Sequence, residues 1–539
     1  MFDAAPARRG CLRIAAGDAL NSPSMHARVT RPAAQRRLDA RALARAAALP
    51  VLSGVIYFLS WIGFGVWPLA FVCLVPLIWD LREATLKQAL WRGALMGLVT
   101  HLGGYTWLIH LLRVFAFLPL PLAFLGYVLV CAAQGFLFGV FALVLRWAWT
   151  RTRWPLVALV PLALVATEFA YPLLFQSYTG AALMPLLPVM QVADLGGALF
   201  TTALVGLANG AVVDLLISPQ LRKLAALVAT AVAFGAAGIY GRVRIADTEG
   251  RERAAPKRRS AIAQPNVGEV ELHNNPYASV RVLRGQTAEA HARGAELMVW
   301  PEVAFNIAPV DLAKREQARV IQGNVPIALI AGVERRQGKE RWNSAVAISR
   351  EGEFGQHFDK IQRLAFGEYI PGGEWFPALY KLSPMSSFLT KGTSTAPLVD
   401  RGWRYATFIC YEDILPGIVR SIVKDPAGLP HALVNLTNDS WYGTGHEQEQ
   451  HLQLAAMRSI EHHRWMLRST STGISVFIDA SGRVVQRIAR DAAGVAVRDV
   501  PMMEGETIYA RLGDWPGWAA WGALALAALW SKVRRRGGA

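Results

Sequence analysis

The stretch Tyr405-Ala-Thr-Phe-Ile-Cys410-Tyr-Glu-Asp413 decides how this chain is read. Residues that suit a buried strand run up to a cysteine, and two acids follow at once, as where a strand end delivers polar groups to a site. Working outward, Glu296-Leu-Met-Val-Trp300 has the same character and leads to Glu302. Val325 to Ala331, Ser344 to Ile348 and Ala432 to Leu436 are further apolar strands. Between them, 278–293 and 311–322 carry helical spacing, and Glu447 to Arg468 predicts a longer helix with Leu452, Ala455, Ala456, Ser459 and Ile460 on one face. Ile474 to Ile478, the turn Asp-Ala-Ser-Gly482 and Val484-Val485 predict a hairpin. Strands alternating with helices over about 270 residues make an α/β domain long enough for its own core.

Three polar residues in this domain fall at or near strand ends: Glu302 after Val-Trp-Pro, Lys360 within Phe358-Asp-Lys-Ile361, and Cys410 after Thr-Phe-Ile. A base, a cation and a thiol together suit amide or ester chemistry through a thioester. Taken singly, each has an ordinary reading: Glu302 as a helix cap, Lys360 as a solvated loop charge, Cys410 as a small core residue. The other cysteines, Cys11, Cys73 and Cys131, lie outside the domain. Cys410 therefore has no disulfide partner there and is either buried and inert or a nucleophile.

Outside the domain the composition changes. The 539 residues are 53% hydrophobic and 18% charged, against about 25% charged in average soluble domains, so part of the chain does not face water and disorder is excluded. Apolar runs long enough to act as membrane spans lie near 46–64, 66–81, 91–112, 118–147, 155–174, 194–217 and 223–241, with an eighth near 515–531. The 56 Lys+Arg against 39 Asp+Glu give a formal charge of +17, and the placement of this excess matters. Arg28, Arg31, Arg36, Arg37, Arg41 and Arg45 precede the first run. Arg82, Lys87 and Arg92 follow the second, Arg146, Arg151 and Arg153 the fourth, and Arg222 and Lys223 the sixth, with Lys532, Arg534, Arg535 and Arg536 at the end. Only Arg113 lies in the intervening short loops. That alternation predicts cytoplasmic termini and an extracytoplasmic domain between runs seven and eight. The excess charge is an orientation signal rather than a nucleic-acid footprint, and no nucleic-acid module, phosphate-binding Gly loop or GxSxG elbow appears.

The expected organisation is a basic cytoplasmic N-terminal extension at 1–45, spans one to seven in 46–242, the extracytoplasmic domain in 243–513, and span eight with a basic tail in 514–539. The extension lacks the apolar core of a secretory signal, and Met25 is an alternative start.

At the three polar residues the sequence resembles a known family. Val299-Trp-Pro-Glu302, Phe358-Asp-Lys360 leading to Phe366-Gly-Glu-Tyr-Ile-Pro371, and Ile409-Cys-Tyr-Glu-Asp413 look like the three signatures of the nitrilase, or carbon–nitrogen hydrolase, superfamily, and Asn438-Asp-Ser-Trp-Tyr-Gly443 resembles a fourth block. With seven spans before and one after, the pattern is similar to the bacterial apolipoprotein N-acyltransferase family. The resemblance implies an αββα sandwich with a Glu302–Lys360–Cys410 triad. It implies acyl transfer from a membrane phospholipid to Cys410 and on to the α-amino group of a diacylated apolipoprotein, at the periplasmic face of the inner membrane. The protein is then an integral membrane enzyme, without metal or other cofactor, and a monomer. Glu302 would be the base, and Lys360 with the Tyr411 N–H would hold the oxyanion.

By the same motifs Glu368, Tyr411 and Glu412 match supporting active-site positions, and Trp441 and Tyr442 match pocket aromatics. Glu412 has the alternative of only orienting Lys360, and the aromatics of being core. Residues 369–396, with Trp375, Phe376, Tyr380, Met385 and Phe388, resemble a mobile arm beside the membrane, so Trp375 and Phe376 are candidate lipid contacts. Gln362 and Ala365 depart from the family's usual His and Pro, and Glu271-Leu-His-Asn-Asn-Pro276 lacks an entrance Trp. These differences bear on substrate preference.

Three weaker signals complete the reading. His446, His451, His462 and His463 lack the spacing of a zinc helix. Arg251, Arg253, Lys257, Arg258 and Arg259 are expected to form a solvated linker, with attraction to lipid phosphates as the alternative. His110, Glu168 and Asp214 lie within or beside spans without an assigned role. Two rival functions use the same residues or none: a membrane-tethered amidase in which water resolves the thioester, and a non-catalytic lipoprotein-handling scaffold.

Overall fold

Glycine and proline decide where the apolar runs break. The computed structural model describes residues 33–536 apart from 62, 115, 269–270, 272–274, 276, 366, 371, 374, 377, 379–387 and 444. Cys11, Met25, Tyr380 and Met385 thus lie outside the described residues, as does most of 271–276. Residues 1–46 form one unit, helical over its described part 33–46, and residues 47–539 form another.

The expected second span, 66–81, is instead a 3₁₀ turn, Trp67–Phe71, and a short helix, Val75–Asp80, each with a proline in its first turn. Proline is pre-organised for a helix start, so Pro68 and Pro76 restart the chain rather than continue it. The third run is a pair of helices, Leu86–Gly104 and Trp107–Val114, bent by 66°. Leu120–Thr152, Ala193–Ile217 and Gln220–Ala254 are long and apolar enough to cross a membrane, with the bent pair as a fourth; Ala46–Ser60 and Leu156–Ala170 are shorter apolar helices. Ala193–Ile217 is kinked where Gly197 takes φ +67°. The final run is the helix Trp515–Arg536.

The acids of the apolar helices have structural partners. Glu168 accepts from the Thr179 N–H at 2.9 Å and the Thr202 hydroxyl at 2.7 Å, and Asp214 accepts from the Val157 N–H at 2.8 Å.

Among the described residues beyond the helices lie thirteen strands: β1 Lys257–Gln264, β2 Leu297–Val299, β3 Phe305–Val310, β4 Ala328–Gln337, β5 Glu340–Ile348, β6 Phe354–Asp359, β7 Leu398–Asp400, β8 Trp403–Ile409, β9 Ala432–Thr437, β10 Met466–Thr470, β11 Val476–Ile478, β12 Val484–Arg487 and β13 Gly494–Pro501. One sheet runs β13-β1-β2-β4-β5-β6 with β3 beside β4, and the other runs β12-β11-β10-β9-β8-β7. The sheets face one another: the Ser469 hydroxyl on β10 donates to the Ala263 carbonyl of β1 at 2.7 Å and to the Val299 carbonyl of β2 at 3.1 Å. The helix Tyr277–Ala292 packs on the first sheet and Pro416–Val423 on the second, giving the expected αββα sandwich.

Several expectations change here. The predicted helix 447–468 stops at His462 because His463 turns left-handed, φ +49°, and Met466–Thr470 becomes a central strand. The helix expected from 311 begins at Glu316, since the Asp311 carboxylate accepts from the Ala313 N–H and holds a turn. The basic stretch is no linker. Arg251 and Arg253 end the helix Gln220–Ala254, and Arg258 on β1 is 2% exposed, paired with Asp400 and bonded to the Tyr405 hydroxyl at 2.7 Å.

Candidate active site

Each of the three sequence-marked residues leaves the C-terminal end of a strand. Lys360 follows β6, Cys410 follows β8, and Glu302 comes three residues after β2. β4 makes room for the Glu302 loop with Gly332, where an added Cβ would lie 2.1 Å from the Pro301 carbonyl oxygen and 2.8 Å from the Glu302 Cα.

The structure brings Glu302, Lys360 and Glu368 into one buried cluster. Lys360 Nζ lies 3.3 Å from Glu302 Oε1 and 2.9 Å from Glu368 Oε1. The Asn343 side-chain amide on β5 donates to both carboxylates, at 2.7 Å to Glu302 and 2.9 Å to Glu368. The second oxygen of Glu368 accepts from the Leu364 N–H at 2.8 Å. Glu302 Oε2, by contrast, is buried and has no partner among the described residues. One oxygen of Glu302 is therefore held by a cation and an amide while the other is free to take a proton.

Cys410 sits on a strained turn: its φ is +55°, a region that non-glycine residues adopt at a cost. Burial pushes its thiol well above the ordinary range, the charge of Glu302 adds to that, and Lys360 opposes it. Burial likewise raises Glu302, with Lys360 pulling the other way. Burial lowers Lys360, but the carboxylates of Glu368 and Glu302 outweigh it and hold the ammonium charged well beyond the usual lysine range. A carboxylate made more basic beside a thiol, with a fixed cation between carboxylates, is the electrostatic arrangement that proton transfer followed by nucleophilic attack requires.

Glu412 answers the question left open for it. Its Oε1 accepts from the N–H groups of Ile361 and Gln362 at 2.7 and 2.8 Å, and its Oε2 from the Ile409 N–H at 2.8 Å. It joins the backbone just after Lys360 to the backbone just before Cys410. Tyr411 donates to the Arg363 carbonyl at 3.0 Å, and its ring lies 5.7 Å from Lys360 Nζ.

Two cavities meet at Tyr411. An aromatic one is walled by Trp61, Tyr105, Trp107 and Phe175 from the apolar helices and the turns between them and by Tyr442, Glu447 and Gln450 from the α/β domain. A larger one is lined by Gln362, Arg363, Ala365 and Tyr369 together with Leu173 and Leu174. The two departures from the family pattern, Gln362 and Ala365, thus face open space next to the site. Tyr442 is buried edge-on to Trp107 at 5.1 Å, and Trp441 packs at the core margin. Trp375 and Phe376 are 81% and 67% exposed.

Sequence reasoning missed a second buried network behind the cysteine. His451 bridges Asp413 at 2.7 Å and Asp439 at 3.0 Å. Arg468 pairs with Asp413, reaches Asp439 at 3.3 Å and donates to Asn435 at 2.6 Å, while Asn435 donates to the Cys410 carbonyl at 3.3 Å. Asp439, Glu447 and His451 are close enough to be metal ligands, but the Arg468 guanidinium lies 3.1 Å from His451 Nδ1 and already supplies the cation. His446 stacks on Phe64, His463 lies 3.1 Å from Asp194, and neither joins this cluster.

An αββα sandwich with this buried acid–lysine–cysteine site defines a carbon–nitrogen hydrolase domain, and the carbon–nitrogen hydrolase family model matches residues 203–509. The model of the apolipoprotein N-acyltransferase N-terminal domain matches residues 53–211. The chain is 31% identical over 515 residues to an apolipoprotein N-acyltransferase of Azotobacter vinelandii, covering 90% of this chain and 95% of the relative. It is 28% identical over 516 residues to that of Pseudomonas aeruginosa, covering 90% and 96%. The chain belongs to the apolipoprotein N-acyltransferase family. Among solved structures, an amidase of the nitrilase superfamily from Nesterenkonia aligns with 19% identity and a TM-score of 0.36, over 46% of this chain and 92% of that one.

Proposed function

We infer that the protein moves a fatty acyl chain from a membrane phospholipid to the N-terminal α-amino group of a diacylglyceryl-cysteine lipoprotein, through a thioester on Cys410. Glu302 takes the thiol proton, and the Cys410 sulfur attacks an ester carbonyl of the phospholipid. Lys360 and the Tyr411 N–H hold the oxyanion. The carbon–oxygen bond breaks, the lysophospholipid oxygen receives the proton from Glu302, and the acyl chain stays on sulfur. In the second half, Glu302 takes a proton from the acceptor amine, whose nitrogen attacks the thioester. The carbon–sulfur bond breaks, the amide forms, and the sulfur regains its proton.

Asn343 and Glu368 hold Glu302 and Lys360 in place, and Glu412 ties the lysine and cysteine turns together. The exposed Trp375 and Phe376 touch lipid, and Tyr442 and Trp441 shape the pocket. The apolar helices of 46–242 and the helix in 514–539 carry a periplasmic catalytic domain, 243–513, with both termini cytoplasmic in the bacterial inner membrane. The alternation of basic residues between apolar runs supports this orientation.

The observation that carries the reading is the buried Glu302–Lys360–Glu368–Asn343 cluster, whose charges act on Cys410, with Tyr411, the residue after the nucleophile, lining two cavities. The test follows a radiolabelled acyl chain from phospholipid in nanodiscs supplied with a diacylated peptide. Label on the peptide's amine supports the reading, and label recovered only as free acid establishes the amidase instead.

A further inference from the structure

The aromatic cavity contains polar atoms that the thioester chemistry leaves unused. Trp107 Nε1, Gln450 Nε2 and Glu447 Oε2 belong to residues lining it, and each is buried without a hydrogen-bond partner among the described residues. Trp107 and Glu447 are 7% exposed and Gln450 9%. Nearly all buried polar groups in folded proteins are paired, so three orphans on one cavity call for an incoming partner. They come from two sides: Trp107 from the bent helix pair, Glu447 and Gln450 from the helix Glu447–His462.

The chemistry of the partner follows from the wall. Two of the orphans are N–H donors, so the partner offers an oxygen acceptor. The surroundings, Tyr105, Phe175 and Leu454, are largely apolar; among the described residues lining this cavity there is no lysine or arginine, and the His451 imidazolium is already paired with Asp413 and Asp439, whereas Arg363 lines the larger one. A phosphate is therefore unsuited here, because a buried, largely apolar wall with no free cation would strip an anion of its hydration. A neutral carbonyl embedded in hydrocarbon fits. The position is also right, because Tyr411, the residue after the nucleophile, borders both cavities.

We propose that Trp107 Nε1 and Gln450 Nε2 bind the carbonyl oxygen of the donor phospholipid's second fatty-acyl ester, the one that is not transferred. This rests on the acyltransferase reading and deepens it: the enzyme recognises a diacyl donor by the ester it leaves intact. That grip sets which ester carbonyl meets the Cys410 sulfur.

The test uses the full chain in nanodiscs without acceptor peptide, so only the donor is read. Acylation of Cys410 is timed with a diester phospholipid and with an analogue whose non-transferred chain is ether-linked. The diester is expected to react about tenfold faster, since the ether leaves buried donors unpaired. Trp107→Phe combined with Gln450→Leu lowers the diester rate toward the ether rate, so the preference collapses. A wild type that uses both donors equally, variants that keep the preference, or variants that lose both rates in equal proportion would each overturn the proposal. Acylation from either donor leaves the acyltransferase reading standing in every one of those cases, while failure with all donors removes both.

Discussion

Glu412→Gln is an isosteric change with a large consequence expected. The carboxylate accepts three backbone N–H bonds, from Ile361, Gln362 and Ile409. A glutamine keeps one oxygen and replaces the other by a donor. With its oxygen toward Ile361 and Gln362, the new NH₂ faces the Ile409 N–H; flipped, it faces the other two. In either pose at least one backbone N–H is left unpaired at a residue 0% exposed. Such an orphan costs about 1–3 kcal/mol. If that strain is relieved by displacing the Cys410 turn relative to Lys360, acylation slows by about 5- to 160-fold. Loss of charge contributes less, because burial already pushes the Glu412 carboxyl up to about 7. The assay is single-turnover transfer of a labelled acyl chain to Cys410 in nanodiscs, with lipid binding measured separately. An acylation rate equal to that of the unsubstituted protein, or a defect confined to lipid binding, would refute the reasoning.

Other outcomes follow from the same geometry. Asn343→Ala removes a hydrogen bond that favours ionised Glu302, so the carboxyl rises further and the acid limb of the acylation rate against pH moves upward; an unmoved limb contradicts the role given to Asn343. Trp375→Ser with Phe376→Ser should slow turnover of bilayer phospholipid while sparing acylation by a short, water-soluble thioester, because both side chains stand exposed; equal losses count against lipid contact. Burial lowers the His451 pKa, but Asp413 and Asp439 outweigh it and hold the imidazolium to about 10. A raised folded value contributes stability that is complete below 6.5 and lost as pH rises through about 10. Thermal unfolding in detergent should accordingly show Tm falling over that interval, and the fall should be absent in His451→Gln.

Much of the site is readable from short blocks because Glu302, Lys360 and Cys410 each follow a strand within a few residues. Glu302, Lys360, Glu368, Cys410 and Glu412 are all carried by such blocks. Asn343 went unread because it lies inside β5, among Trp342, Ser344 and Ala345, where a lone buried amide gives no pattern. Arg468 was hidden by a boundary error: helical spacing runs on past His463, and a histidine gives a weaker stop signal than glycine although it enters the left-handed region. The start of β1 belongs to a run of basic residues, Arg251 to Arg259, that resembles a solvated linker, yet Arg258 finds Asp400 and Tyr405 across the sandwich. Such pairings join residues far apart in sequence, and composition does not encode them. Strands β3, β6, β7 and β13 were missed for a related reason, since each is held by neighbours rather than by an apolar run of its own. The breaks in the helices at Pro68 and Pro76 were legible as residues, but not as the division of one apolar run into two short pieces.

The central claim is that Cys410 carries the acyl chain. Mass spectrometry of the intact protein after incubation with phospholipid of defined chain length tests it most directly. The account predicts a mass increase of one acyl group, located on Cys410, released by hydroxylamine, discharged by a diacylated peptide, and absent in Cys410→Ala. An unmodified Cys410 in a protein that still N-acylates the peptide would contradict it.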